Sequence, residues 1–435
     1  MVERVPQHPV RSPVPTDPLI DGPSRVVRDA AQRGLYVHVP FCSVRCTYCH
    51  FSTGALTSAK LEQWFVALEV ECRRRAPAAA DAAFTSVFFG GGTPSTLASR
   101  HFRQLWSLLR DHFTLAPDAE ITLEANPETV KPSLLETWLE SGVNRLSMGA
   151  QSFEPEELRA LGRVHGAERP LVAAALAKAH GMQRTSLDLM FGYPGSTTSV
   201  FGRTLDRALE AGVDHLSVYS FIPEAGTPMG DAVLAGTLAI PDEDAQADLY
   251  AQATARLAAA GLANYETSNF ARPLAEARHN LVYWLGRDHL SLGPSAHGFW
   301  QGERYANHYG LEDWAADLAN GRSGESERER PSNEARADER LMLALRLGTG
   351  LQPSDVPEAA WGSLLERHHE GLEAAASAGR LEPFEAGWRV KPEHRFVADD
   401  IIAWIAARAR PLEVDSVSGG SLKSSSCPTP LSPAA

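Results

Sequence analysis

The sequence predicts an α/β protein: an open barrel of six β/α units, followed by a smaller α+β module of winged-helix-like character. Three observations carry this. Between Leu35 and Tyr219, short apolar or β-branched runs alternate six times with amphipathic stretches, the pattern of a parallel sheet with right-handed crossovers. Polar or glycine-rich residues follow each of the six runs, as expected where strand ends share one pocket. After Ile240 the alternation stops, and the chain ends in helices and one short hairpin. Six units are too few for a closed eight-stranded barrel.

In order, the predicted strands are Leu35–Val39, Ser86–Phe89, Ile121–Glu124, Arg145–Met148, Ser186–Met190 and His215–Tyr219. Between them helical periodicity covers Lys60–Arg75, Arg100–His112, Pro132–Glu140, Arg169–His180 and Ser199–Glu210, with Gly142, Gly181 and Gly212 where C-caps belong. A barrel extension over 241–320 holds the helical run Asp242–Ala260 and a segment rich in Trp, Tyr and His from His279 to Trp314. Gly321–Arg340 is charged and reads as a solvated linker that opens a module over 321–412. Within that module Glu334–Leu347, Trp361–Ala378 and Asp400–Arg408 are helices, and Arg380–Val390 is a hairpin turning at Glu385-Ala386-Gly387. The ends, 1–33 and 413–435, are Pro/Arg-rich and Ser/Pro/Gly-rich and predicted to be disordered.

Composition narrows the function classes. The formal charge of −13 argues against a nucleic-acid surface. No apolar run is long enough to span a membrane, and none near the N-terminus has signal-peptide form. Five cysteines, three of them clustered, make no disulfide framework and fit a reduced cytoplasmic setting. Cys72 reads as a packed side chain; Cys427 has no assigned role.

The cluster is the most informative stretch. Cys42, Cys46 and Cys49 stand in CxxxCxxC spacing in a loop after the first strand. Three thiolates are one too few for a closed tetrahedral zinc site, though His50 would complete one. They are the number that leaves one iron open in a [4Fe–4S] cluster. Further along, Gly90-Gly91-Gly92-Thr93-Pro94 after the second strand allows close backbone approach to a ligand or a tight turn. Glu124 suits an ammonium, ribose hydroxyls or a helix cap. Arg163 suits a carboxylate. Asp188, inside an apolar strand, needs a partner if buried.

These motifs resemble the radical S-adenosylmethionine superfamily. Tyr36–Cys42, Phe89–Ser95, Arg145–Phe153 and Leu187–Gly195 are similar to the oxygen-independent coproporphyrinogen III oxidase family within it, over roughly Gly34 to Ala407. The resemblance implies that Cys42, Cys46 and Cys49 ligate the cluster and that S-adenosylmethionine chelates its open iron. It places Tyr36, Tyr48, Gly91, Gly92, Thr93, Glu124, Gln151, Arg163, Asp188 and Ile222 at cofactor-contacting positions. Glycines 91 and 92 would admit the methionyl amine.

That family has two branches, the oxidases and the heme chaperones of the HemW type. Oxidases carry a fourth cysteine where Phe51 stands, and a long N-terminal extension; here only about thirty Pro/Arg-rich residues precede the first strand. His279-Asn280-Leu281-Val282-Tyr283-Trp284 matches the HNxxYW motif of the chaperone branch, which implies heme binding with His279 as an axial ligand, Asn280 beside it, and Tyr283 and Trp284 along the porphyrin. His297 and His308 are second candidates. Pro294, Ser295 and His50 depart from the family pattern. The expectation is a cytoplasmic heme chaperone that passes heme to an acceptor protein, touching a membrane only through that partner. The alternatives are a radical oxidase acting on a porphyrinogen and a zinc-stabilised binding module.

Overall fold

A computed structural model of the protein describes residues 32–410. Apart from Gln32 and Arg33, the ends expected to be disordered lie outside the described residues, as does Cys427. All six predicted strands are present: β1 (Gly34–Val39), β2 (Ala83–Gly91), β3 (Thr114–Ala125), β4 (Arg145–Gln151), β5 (Arg184–Phe191) and β6 (His215–Ser220). They pair in parallel, each with the next. Helices α1 (Ser58–Arg75), α2 (Ser99–His112), α3 (Pro132–Glu140), α4 (Pro155–Ala160), α5 (Arg169–Ala179) and α6 (Thr198–Glu210) lie between them. Gly142, Gly181 and Gly212 end α3, α5 and α6 with φ of 85°, 92° and 60°, the left-handed conformation that glycine takes without a Cβ penalty.

The strand pattern explains why the barrel has two different faces. Leu35, Val37 and Val39 of β1, Val87 and Phe89 of β2, Leu187 and Leu189 of β5 and Leu216 and Val218 of β6 enter the main core beneath the helices. The alternate residues, Tyr36 and His38, Ser86 and Phe88, Thr122 and Glu124, Ser147 and Gly149, Ser186 and Asp188, Ser217 and Tyr219, point into the barrel. A parallel sheet covered on both faces normally reads as continuous apolar residues. Here one face is polar, so the lumen is built for something other than hydrophobic packing.

After α7 (Pro228–Leu234) and α8 (Glu243–Ala259), short strands β7 (Ala263–Asn264) and β8 (Asn269–Ala271) close the β6 edge. The chain then crosses through α9 (Arg278–Trp284) to β9 (His289–Leu292), which lies parallel to β1 on its free side. An antiparallel meander follows: β10 (His297–Trp300), β11 (Glu303–Asn307) and, beyond α10 (Leu311–Ala319), β12 (Glu325–Glu329). The result is one twelve-stranded sheet in the order β12-β11-β10-β9-β1-β2-β3-β4-β5-β6-β8-β7.

That corrects two expectations. The extension does not end at residue 320, because the sheet runs on to Glu329, and the charged stretch after Gly321 is not all linker. Glu325–Glu329 forms an edge strand because its charges meet opposite charges on β11: Arg304 pairs with Glu329 at 2.8 Å, and Arg328 and Arg330 pair with Glu303 at 2.5 and 2.9 Å.

A buried clamp fastens the extension to the barrel. Glu71 of α1 accepts from the Gly293 amide at 2.8 Å and from Asn307 Nδ2 at 2.8 Å. Arg75 pairs with Glu71 at 2.9 Å and donates to Asn307 Oδ1 at 3.0 Å. Glu71 is wholly buried and Asn307 nearly so, and the charge is held by its partners and not by water. The C-terminal module packs α11 (Asn333–Ala344), α12 (Glu358–Ser377), the hairpin β13 (Leu381–Phe384) and β14 (Gly387–Val390), and α13 (Ala398–Ala406) around its own core of Leu341, Leu351, Leu372, Ile401 and Ile405.

Candidate functional site: a cysteine-lined cavity at the strand C-termini

The C-terminal ends of β1–β6 surround one cavity. Cys42, Cys46 and Cys49 line it, together with Tyr48, Gly91, Gly92, Thr93, Glu124, Gln151, Arg163, Asp188 and Ile222. Nine of the ten residues expected to contact the cofactor are therefore brought together from six different strand ends. Tyr36 is the exception. It lies one layer down, stacked on Phe88 with ring centroids 6.1 Å apart and donating to His38 Nδ1 at 3.1 Å.

The cysteine loop is half-buried and each thiol has a distinct setting. Cys42 Sγ lies 3.1 Å from Thr93 Oγ1, and Arg163 Nη1 donates to Cys46 Sγ at 3.5 Å. Burial raises the Cys49 thiol to about 11, and the neighbouring Cys46 and Cys42 add to it. Among the described residues, no three His, Cys, Asp or Glu side chains converge where a single metal ion would sit. A closed zinc site needs that convergence. An iron–sulfur cluster does not, because each thiolate binds its own iron.

Two buried carboxylates dominate the far wall. Glu124 Oε2 accepts from the Gly91 amide at 3.2 Å, while Glu124 Oε1 is buried with no hydrogen-bond partner. Desolvation, and then the nearby Asp188, push the Glu124 carboxyl well above its ordinary range. Asp188 accepts from Ser147 Oγ at 3.1 Å, and burial raises its pKa as well. An orphaned carboxylate oxygen beside a second carboxylate is the donor set a bound cation would satisfy. The ammonium and sulfonium of S-adenosylmethionine fit that demand, and the Arg163 guanidinium, which lines the same cavity, suits a carboxylate.

The glycines behave differently from expectation. A Cβ on Gly92 would meet the Phe41 carbonyl oxygen at 2.6 Å, and one on Gly91, whose φ is 106°, would meet the His38 ring at 2.6 Å. Both glycines line the cavity, but the need for glycine comes from the backbone and ring packed behind them. Gln151 sits at the bulge that ends β4 with φ of 67°, and accepts from Tyr219 Oη at 2.5 Å. Asn126 at the end of β3 also lines the cavity, as do Tyr219, Ser147 and Met190, which were not foreseen. Ser147 and Tyr219 carried a signal in their positions, two residues from Gly149 and Ser217 on the lumenal face.

The HNxxYW residues lie elsewhere, at the start of β1, and do not form a common wall. His279 is buried, stacked on Phe88 at 5.2 Å, with Nδ1 at 2.9 Å from Ser86 Oγ and Nε2 at 2.8 Å from Tyr283 Oη. Its backbone amide donates to Glu120 at 3.1 Å. Both ring nitrogens are occupied, so His279 does not offer an iron ligand in this structure. Trp284 turns away into a cluster with Tyr265, Leu281 and Leu347, under the Arg346 guanidinium. Asn280 is buried on the same short helix. Of the second candidates, His308 is paired with Asp317 at 2.9 Å, while His297 is exposed.

A partial barrel with three cysteines after β1 and a carboxylate-lined mouth defines a radical S-adenosylmethionine protein. Known proteins agree with that class. Residues 36–218 match the model of the radical SAM superfamily. The chain superposes on the coproporphyrinogen III oxidase HemN of Escherichia coli with a TM-score of 0.76, covering 88% of this chain and 92% of that one at 24% identity, which establishes the fold. It is 38% identical to the heme chaperone HemW of Mycobacterium tuberculosis over 85% of this chain and 93% of the relative. It is 29% identical to the heme chaperone HemW of Bacillus subtilis over 85% of this chain and 98% of the relative. The chain belongs to the HemW family of radical SAM proteins. Membership implies a [4Fe–4S] cluster and S-adenosylmethionine. No helix among the described residues is long and apolar enough to cross a membrane.

Proposed function

We propose that the protein is a heme chaperone: it binds heme and passes it to an acceptor protein, and carries a [4Fe–4S] cluster with exchangeable S-adenosylmethionine. The observation that supports this most is the likeness along nearly the whole length of a relative named as a heme chaperone, 38% identical across 93% of it. Phe51, where the oxidases carry a fourth cysteine, agrees.

Cys42, Cys46 and Cys49 would hold the cluster, which when bound and reduced supplies the electron that cleaves a sulfonium. Glu124 and Asp188 would receive the cationic end of S-adenosylmethionine, and Arg163 its carboxylate or a cluster thiolate. Tyr48, packed against Leu161, Met190 and Phe221, and the exposed Ile222 would flank the adenine. The acceptor is a protein that needs heme, cytoplasmic or reached at a membrane. The acidic balance offers no basic patch for anionic lipid, so membrane contact would come through that partner.

The test is a heme titration of the anaerobically reconstituted protein followed by gel filtration and incubation with a heme-free acceptor. Stoichiometric heme that is retained and then transferred supports the reading, with Cys42→Ser as the control that loses iron and sulfide. Protein with an intact cluster that keeps no heme, yet forms 5′-deoxyadenosine and decarboxylated product from coproporphyrinogen III, would establish the oxidase alternative instead.

A further inference from the structure

The lumenal face of the sheet continues past the barrel onto the extension, and there it carries a histidine with no place in the cysteine cavity. His289 opens β9, paired with Gly34 of β1 on one side and Phe299 of β10 on the other. Its Nδ1 lies 3.0 Å from the Arg287 carbonyl oxygen. A carbonyl only accepts, so Nδ1 carries the proton and Nε2 keeps its lone pair. Among the described residues, no group hydrogen-bonds that Nε2. This is the arrangement of a metal-ligating imidazole, whose second nitrogen is anchored to a carbonyl and whose tautomer is thereby fixed. His279, earlier in the chain on α9, has the opposite character, with both nitrogens taken.

The surroundings suit a porphyrin. The Tyr283 ring meets the His289 ring edge-on at 4.7 Å, and Phe299 lies at 6.4 Å. His297, two residues from Phe299 on the same face of β10, is exposed, so this face opens to solvent. Two guanidinium groups of α11 border it. Arg336 lies over the Phe299 ring at 5.3 Å, and Arg340 buries an Nη1 that has no hydrogen-bond partner. Burial and the neighbouring Arg287 and Arg336 lower Arg340 to about 10; Asp288, Glu339 and Asp355 offset this only in part. A partly desolvated arginine with a buried, unpartnered Nη1 is a receptor for a carboxylate.

We propose that heme binds on this face, with His289 Nε2 as the axial ligand of its iron and Arg336 and Arg340 as the partners of its propionates. The proposal rests on the heme-chaperone reading and names the site for it. The motif residue Tyr283 then has a double role: it occupies His279 and presents its ring to His289.

The test uses the cluster-reconstituted full chain, titrated anaerobically with heme while the Soret band is followed. His289→Ala should weaken binding at least tenfold and shift the band. His289→Met should retain heme with a different spectrum, because the ligand atom changes from nitrogen to sulfur, a shift that a packing role would not cause. Arg336→Glu should weaken binding several-fold with the wild-type spectrum. The visible absorbance of the cluster reports folding in each case, and if the alanine variant loses it, the methionine variant decides. Wild-type binding with unchanged affinity and spectrum in both His289 variants overturns the proposal and leaves the chaperone reading standing. Wild type that keeps no heme overturns both.

Discussion

The mouth of the barrel and the HNxxYW helix at its other end are both polar, buried and rich in titratable groups, yet they are built in opposite ways. At the mouth, Glu124 Oε1 has no partner, two carboxylates face each other, and three thiols share a loop. At the helix, His279 has a partner for each ring nitrogen and for its amide. Buried polar groups are normally satisfied, so a cluster left short of partners marks a place where something else binds. A cluster that closes on itself holds the fold together.

His279→Ala should give the largest change in folding. It empties a packed position and strands Ser86 and Tyr283, at a cost of about 3 kcal/mol. Urea unfolding of the cofactor-free chain reads this, while iron and sulfide content after reconstitution should stay near wild type. Loss of heme binding without loss of stability would break the comparison, since His279 would then be a ligand after all.

Glu124→Gln comes next. It removes the carboxyl that a bound cation would hold in its charged form, and should weaken S-adenosylmethionine binding about 10- to 100-fold, the equivalent of about 1.5–3 kcal/mol for a hydrogen bond to a charged group. Equilibrium dialysis with the reconstituted protein measures it. Stability should hold or rise, because an uncompensated buried carboxyl has gone. A variant that binds as well as wild type would mean the orphaned oxygen faces something else.

A smaller effect depends on pH. Burial lowers His38 to about 4 and His279 to about 3. Between those values and about 6.5 the unfolded chain binds more protons than the folded one, so the stability each contributes is complete above 6.5 and is lost as pH falls. For His38 the loss from pH 6.5 to 5 is about 2 kcal/mol. Carboxyls with raised values act in the opposite sense, so the quantity to measure is the difference between wild type and His38→Gln. Parallel stability curves over that range would show that His38 is not held neutral.

The least effect belongs to the edge strand. Glu329→Ala removes an exposed partner of Arg304, worth no more than about 0.5 kcal/mol in thermal unfolding. A larger cost would mean that β12 is held by its charges alone.

Much of this was legible in the sequence for a physical reason. Alternation of period two is a local property, and β1–β6 carry it plainly, with apolar residues such as Leu187 and Leu189 flanking Asp188. The cysteines and Glu124 fall at strand ends, which the same alternation locates. What was hidden depends on contacts between distant segments. That Gly92 must be glycine follows from the Phe41 backbone behind it. That His279 is occupied follows from Ser86, 193 residues away in the chain. That Glu325–Glu329 is a strand follows from its pairing with β11, where Glu303 and Arg304 meet its charges, since five charged or polar residues carry little strand preference of their own. The N-terminal lengthening of β3 to Thr114, past Pro117 and Asp118, has the same origin in its pairing with β2.

The clamp of Glu71, Arg75 and Asn307 fixes the spacing between whatever occupies the mouth and whatever occupies the extension. The mouth and β9 belong to one twelve-stranded sheet, so a shift of one against the other would have to break strand pairing. Between them the rings of Tyr36, Phe88, His279, Tyr283 and His289 touch in a row, with centroids 6.1, 5.2, 5.0 and 4.7 Å apart. A side-chain change at one end of that row would have to turn buried rings inside a close-packed interior.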